Sequence, residues 1–298
     1  MTPETLAALQ GAGLDVSELA RIVRTALDED FRYGPDITSE ATVAGRALTA
    51  DVVAREPGVL AGVPVALAVL DLLAERENAS DGPIGLTVLI ADGARIGPGD
   101  AVLRVSGPAT AVLGAERTML NFHTHLSGIA TATRAWVDAV AGTGAVIRDT
   151  RKTTPGLRQL EKYAVRCGGG ENHRMGLGDA ALIKDNHAAA AGGVAKAVAA
   201  VCSAAPEVPL EVECDSVPQV REALAAGARF LLLDNMPAGE LQLAVAEARR
   251  YAGVRLEASG GLRLATAREV ARTGVDYLAI GALTHSSRAL DLGLDFTA

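Results

Sequence analysis

From Ala145 onward the chain repeats one unit. A short β-branched or Leu-rich run is followed, in most cases, by an Ala-rich helical stretch. The runs are AVIRDT, AALIKDN, LEVECDS, FLLLDN, RLEASGG and YLAIGAL, and VAKAVAAVCSAA and ATAREVARTG are two of the stretches between them. Strands that alternate with helices build a parallel sheet covered by helices. The glycine-rich run Gly168-Gly169-Gly170-Glu171-Asn172-His173 fails the dinucleotide fingerprint, because His173 stands where a small residue is required. Six or seven units without that fingerprint favour an α/β barrel.

The residues before this repeat read differently. The first thirty or so are a helical lead-in. LTADVVA and AVLRVSG are short strands, PVALAVLDLLAE is a helix, and Pro57-Gly58, Gly62, Gly93 and Gly97-Pro98-Gly99 punctuate the stretch. The expectation is a small α+β domain over 1–115 and a barrel domain over 116–285. DGARIGPGDAVLRVSG resembles the turn-rich strands of a barrel-sandwich domain, but no lysine sits in a carrier-type hairpin, so a swinging arm is not expected. Glu116 to Val140 reads as one long helix with Arg117 in its first turn, where the helix dipole disfavours a cation. On the residues alone Arg117 is a solvated surface arginine. His123 and His125 are two apart on that helix and point to different sides, so they are not expected to share a metal.

Composition narrows the function. The chain has 298 residues, 49% hydrophobic and 21% charged, as a packed globular protein does. Aromatics at 3% and a net charge of −8 argue against nucleic-acid and anionic-membrane binding. Three cysteines without CxxC spacing suit a reducing, cytoplasmic compartment, and neither a signal pattern nor a membrane-length apolar run is evident. Asn78-Ala79-Ser80 matches a glycosylation pattern that has no meaning in that compartment.

The charge is unevenly distributed. Residues 148–187 hold eight Lys/Arg and five Asp/Glu, about +3, which leaves the rest near −11. Cations gathered on an acidic protein mark an anion site. Polar residues also close successive strands: Thr150-Arg151-Lys152, then Lys184-Asp185-Asn186-His187, then Glu213 and Asp215, then Asp234-Asn235, then Ser259-Gly260-Gly261, and last Gly281 with Thr284 and His285. In an α/β barrel these ends meet at one mouth. That mouth would carry a cationic wall, an acidic wall and a glycine cradle for phosphate. Alternation in LEVECDS sets Glu211, Glu213 and Asp215 on one face, which is costly unless cations face them. Acidic residues beside phosphate imply a bridging Mg²⁺ or hydrogen bonds to sugar hydroxyls.

The stretch TRKTTPGLRQLEKYAVRCGGGENHRMGLGDAALIKDNH resembles the quinolinate phosphoribosyltransferase family, also called nicotinate-nucleotide pyrophosphorylase (carboxylating). LEVECDS, LLLDNM, EASGGL, GVDYLAIGALTHS and AERTMLNFHTHLSGIAT extend the likeness over nearly the whole chain, with Pro35 and His123 as departures. YGPDITSE is similar to an early family segment.

The resemblance implies an N-terminal open-faced sandwich, an incomplete α/β barrel of six to seven strands, and a tail, 286–298, that returns to the first domain. It implies transfer of phosphoribosyl from 5-phosphoribosyl 1-diphosphate to quinolinate with decarboxylation, using Mg²⁺ and no organic cofactor. It also implies a homodimer, or a hexamer of dimers, with shared sites. Arg117, donated by a neighbour, would hold the dicarboxylate with Arg151 and Arg174, with His173 and Lys184 nearby and Thr150 among the substrate-binding residues, which reverses its surface reading. Lys152 and Lys184 would reach the donor's phosphates, and Glu213 and Asp234 its ribose hydroxyls and Mg²⁺. Ser259, Gly260, Gly261 and Gly281 would cradle the 5′-phosphate, with Ile280, Ala282 and His285 as further substrate-binding residues. Lys152, Lys184, Glu213 and Asp234 would be catalytic. The competing readings are a related phosphoribosyltransferase (of the kind encoded beside molybdate transporters, or specific for nicotinate), a Schiff-base lyase on Lys184 or Lys152, and a non-catalytic anion binder.

Overall fold

The structure is a computed structural model that describes residues 1–76 and 82–297, so the Asn78-Ala79-Ser80 triplet lies outside the described residues. The elements run α1 (Pro3–Gly11), α2 (Val16–Asp30), α3 (Ile37–Val43), β1 (Ala47–Ala54), β2 (Gly58–Val59), α4 (Val63–Arg76), β3 (Gly85–Val88), β4 (Arg95–Ile96), β5 (Ala101–Pro108) and α5 (Ala109–Val140). They continue with β6 (Val146–Arg148), α6 (Arg158–Cys167), β7 (Ala181–Ile183), α7 (Asp185–Ala191), α8 (Val194–Ala204), β8 (Leu210–Cys214) and α9 (Val217–Ala225). The last are β9 (Phe230–Asp234), α10 (Ala238–Ala248), β10 (Arg255–Ser259), α11 (Ala267–Ala271), β11 (Tyr277–Ala279), α12 (Ala282–His285) and β12 (Leu292–Phe296).

Two compact units divide the chain. The first takes residues 1–132, 154–169 and 286–298, and the second takes 133–153 and 170–285. The expected boundary at 115/116 differs from this division, which falls inside α5 and assigns α6 to the first unit. In the first unit an antiparallel sheet runs β12-β1-β5-β3, so the C-terminal strand pairs with β1, Val52 opposite Leu294. Alternation buries Ala50, Val52 and Ala54 of β1. Helix α2 starts where the Asp15 carboxylate accepts the Glu18 N–H at 2.8 Å, and it buries Leu19, Ile22, Val23 and Leu27. Helix α5 begins at Ala109 rather than Glu116, which places Arg117 in its third turn. The dipole argument made for Arg117 therefore lapses, since that effect fades beyond the first turn.

In the second unit a parallel sheet runs β6-β11-β10-β9-β8-β7. These are the six runs read from sequence, and no seventh strand joins them among the described residues. β6 and β7 form its two edges without pairing to each other, so the barrel stays open. The register sets Glu213, Leu232 and Glu257 side by side on three strands, and Asp234 beside Ser259 two residues on. Because side chains alternate, Leu231, Leu233, Val212 and Ala258 fall on the other face and are almost fully buried there. Among the described residues no single helix is long and apolar enough to cross a membrane.

Candidate active site

A cavity of about 560 Å³ opens where the strands of the second unit end. Thr150, Arg151, Lys152, His173, Arg174 and Lys184 line one part of it, Glu213 and Asp234 another, and Ser259, Gly260 and Gly261 a third. This is the C-terminal mouth where such sheets place their chemistry, because loops vary there while the strands hold still.

The cationic part is under-satisfied. Arg151 Nε and Arg174 Nε are buried and meet no acceptor among the described residues. Burial, and then the charge of Arg151, lower the pKa of Arg174. Two guanidinium groups with spare buried donors favour a ligand that brings carboxylate oxygens, since each unmet donor costs about 1–3 kcal/mol. On the acidic part, burial raises Glu213 above the ordinary carboxylate range, Lys184 opposes this, and Asp234 and Asp185 reinforce it. Lys184 Nζ lies 3.6 Å from Glu213 Oε2, a charge contact between the two parts.

The glycine end is shaped by backbone. Asn235 stands at φ 55°, the one positive φ of a non-glycine among the described residues, and its N–H donates to Ser259 O at 2.9 Å. Its side chain donates to Asp234 Oδ2 at 2.7 Å. A Cβ on Gly260 would lie 2.3 Å from Asn235 Oδ1, so the loop closes only with glycine there. A Cβ on Gly281 would lie 2.9 Å from Lys152 Cδ, and Thr284 Oγ1 donates to Lys152 O at 2.7 Å.

Both halves of the chain match family models: "Quinolinate phosphoribosyl transferase, N-terminal domain" over residues 36–127 and "Quinolinate phosphoribosyl transferase, C-terminal domain" over 129–295. The chain belongs to the quinolinate phosphoribosyltransferase family. It is 58% identical over 277 residues to a nicotinate-nucleotide pyrophosphorylase (carboxylating) of Mycobacterium leprae (strain TN), covering 92% of this chain and 95% of that one. It is 38% identical to quinolinate phosphoribosyltransferase (decarboxylating) 1 of Nicotiana glauca, over 93% of this chain and 82% of that one. The solved nicotinate-nucleotide pyrophosphorylase of Francisella tularensis superposes with a TM-score of 0.89 at 37% identity, over 95% of this chain and 98% of that one.

Most of the residues that the family resemblance singled out meet in this one cavity, and the exceptions are informative. Gly281, beside Lys152, does not line the cavity, nor do Ala282 and His285, both exposed on α12. Ile280 is buried, and its N–H is taken by Arg148 O at 2.9 Å, so it has no amide to offer a phosphate. Asp215 is exposed and stands outside the lining. Arg117, on α5 in the first unit, has a 64% exposed side chain and a loose 3.9 Å contact with Glu116. His123 is buried in the same helix and pushed down to about 4 by burial against the pull of Asp92, so it is neutral. His125 instead meets Glu161 at 3.0 Å.

Sequence reasoning passed over Glu257, Arg148 and the inner role of Glu211. Glu257 is fully buried and faces the cavity, with Arg148 Nη1 at 2.5 Å from its Oε2. Burial, and then the charge of Glu211, push Glu257 up to about 7, against Arg148 and His173. A raised folded-state pKa means the folded protein binds this proton more tightly than the unfolded chain, so the stabilisation is present at low pH and lost as pH rises towards 7. Glu257→Gln should therefore melt closer to, or above, wild type at about pH 8 than at about pH 5, as thermal melts at the two pH values would show. A melting difference that does not move with pH contradicts a buried proton on Glu257.

Proposed function

We propose that this chain transfers the phosphoribosyl group of 5-phosphoribosyl 1-diphosphate to quinolinate and decarboxylates the product. The outcome is nicotinate mononucleotide, diphosphate and CO₂, a step of NAD biosynthesis. The observation that carries this reading is the pairing of Arg151 and Arg174, each with a buried unmet donor, with the Glu213 and Asp234 carboxylates in one cavity. Quinolinate brings two carboxylates to the arginines, and the donor brings a ribose to the acids. The names of the relatives agree with it.

In this reading the arginines hold the ring with its nitrogen toward C1 of the ribose. The N–C1 bond forms as the C1–O bond breaks and diphosphate leaves. Positive charge grows on the ribose, and Glu213 and Asp234 face it. Lys152 and Lys184 neutralise the leaving diphosphate. CO₂ then departs, the electron pair of the C2–carboxylate bond stays on C2 beside the positive ring nitrogen that stabilises it, and C2 takes a proton from solvent. No organic cofactor is required, because the ring's own positive charge supplies that stabilisation. The all-oxygen donor set of Glu213 and Asp234 suits Mg²⁺, which would offset charge on the diphosphate. A panel offering quinolinate and nicotinate, with and without the ribosyl donor, tests the reading. Quinolinate alone should turn over, and CO₂ should appear only with the donor. Nicotinate turnover or donor-independent CO₂ at a similar rate would sink it.

We further propose a homodimer, or hexamer of dimers, in which Arg117 completes a neighbour's site, and a cytoplasmic location. The exposure of Arg117 and the free Cys167, Cys202 and Cys214 support these points. Mixing inactive Arg117→Ala with inactive Lys152→Ala should restore up to roughly a quarter of wild-type activity through hybrid dimers. No recovery despite demonstrated subunit exchange contradicts a donated arginine.

A further inference from the structure

At and beneath the cavity wall lies a buried polar network that the reaction scheme above does not use. The Asp149 carboxylate, fully buried, accepts the His173 N–H at 2.8 Å and Asn172 Nδ2 at 2.6 Å. The His173 ring is held from both sides. Its Nδ1 lies 2.8 Å from the backbone N–H of Arg174, and an amide N–H can only donate, so Nδ1 carries no proton. The neutral ring then carries its proton on Nε2, which lies 2.9 Å from Glu211 Oε2 and 3.4 Å from Glu257 Oε1.

Glu257 is anchored in turn. Arg148 binds it at 2.5 Å, donates to Asn172 O at 3.2 Å, and lies 5.5 Å and 4.8 Å from the ring centres of Phe230 and Tyr277. Those aromatics are the first residues of β9 and β11. Asn172, His173 and Arg174 are thus tied to one buried frame, and Arg174 Nη1 donates to Ala180 O at 2.9 Å.

Both His173 ring nitrogens are spent within the protein. The residue also lines the cavity, as its sequence position implies. A protonated Nε2 also cannot ligate a metal, so His173, Glu211 and Glu257 hold one another and not a cation, although their ligating atoms lie within 4.8 Å of one another.

We propose that Glu211, backed by Glu257 and Arg148, is a positioning residue for dicarboxylate recognition: it fixes the His173 ring so that Nδ1 receives the Arg174 N–H and sets where Arg174 enters the cavity. This rests on reading the cavity as a quinolinate site. Carboxylate–imidazole pairs orient metal-bound histidines in the same way, by fixing the tautomer through the second nitrogen. Here the oriented group is the backbone of the next residue.

The test has two arms. In ¹⁵N-histidine-labelled protein, with His173 assigned through His173→Gln, the ring should be neutral with its proton on Nε2. Glu211→Gln, whose amide oxygen still accepts, should keep that tautomer, and Glu211→Leu should lose it. In kinetics, Glu211→Leu should raise KM for quinolinate at least about tenfold, leave KM for the ribosyl donor within about twofold, and leave kcat nearly unchanged, while Glu211→Gln recovers most of the loss. If Glu211→Leu does not fold, Glu211→Asp, which withdraws the acceptor by one methylene, carries the same expectation. A charged His173 or an Nδ1–H ring in wild type overturns the proposal, as does an unchanged quinolinate KM or an equal rise in both KM values. A wild type that does not turn over quinolinate removes the assigned purpose of Glu211 together with the activity, while the spectrum still reports on the ring itself.

Discussion

Arg151→Ala should lower kcat/KM for quinolinate by roughly 30- to 4,000-fold and leave the melting temperature nearly unchanged. The magnitude follows from truncating one side of a desolvated charge pair, which costs about 2–5 kcal/mol, and each 1.4 kcal/mol is tenfold. Arg151 is half-buried with its Nε unmet, so the folded protein gains little from it, and the substrate's carboxylate would gain most. Arg151→Lys should recover only part of the loss, because an ammonium keeps the charge but cannot offer the two parallel donors of a guanidinium. Quinolinate-dependent steady-state kinetics with a thermal melt checks both statements. A loss below about fivefold, or a fully active lysine variant, would contradict a bidentate contact.

The second large effect belongs to Gly260. Gly260→Ala puts a Cβ at a φ of +83°, 2.9 Å from the Asn235 backbone nitrogen as well as 2.3 Å from its Oδ1. The backbone strain alone costs on the order of 1–3 kcal/mol. Relief requires moving Asn235, which holds Asp234 through the 2.7 Å bond to its Oδ2. The disturbance thus reaches both the phosphate cradle and the acid beside the ribose. KM for the ribosyl donor should rise about ten- to a hundredfold and kcat should fall, with a smaller change in quinolinate KM. Titrating each substrate against the variant separates these terms. A donor KM within about twofold of wild type would show that this loop does not shape the donor site.

The sheet was legible because its period is simple. Short apolar runs that end in Arg-Lys, Lys-Asp, Asp-Asn or Ser-Gly-Gly state both the strand and the end where chemistry gathers, and all six runs became neighbours in one parallel sheet. Alternation in LEVECDS correctly grouped Glu211 with Glu213, but it could not tell depth. Glu213 reaches the cavity wall while Glu211, two residues earlier, is buried beneath. Glu257 was hidden for the same reason: within RLEASGG its partner is Arg148, 109 residues away, and no local pattern announces such a pair. The start of α5 was misjudged because the helix follows β5 with no loop between them, Pro108 ending the strand and Ala109 opening the helix. His173 shows a subtler limit. Its place in the motif suggested a cavity residue, which it is, but the contacts of its two ring nitrogens with the Arg174 N–H and Glu211 depend on tertiary geometry that no local pattern states.

The central claim is that one cavity joins ribosyl transfer to loss of the 2-carboxylate. Quinolinate labelled with ¹³C at that carboxylate, incubated with the protein, 5-phosphoribosyl 1-diphosphate and Mg²⁺, measures it directly. The expected result is labelled CO₂, nicotinate mononucleotide and diphosphate in equal amounts, with no labelled CO₂ when the donor is left out. Retention of the label in a nucleotide product, or its release without the donor, would contradict the account.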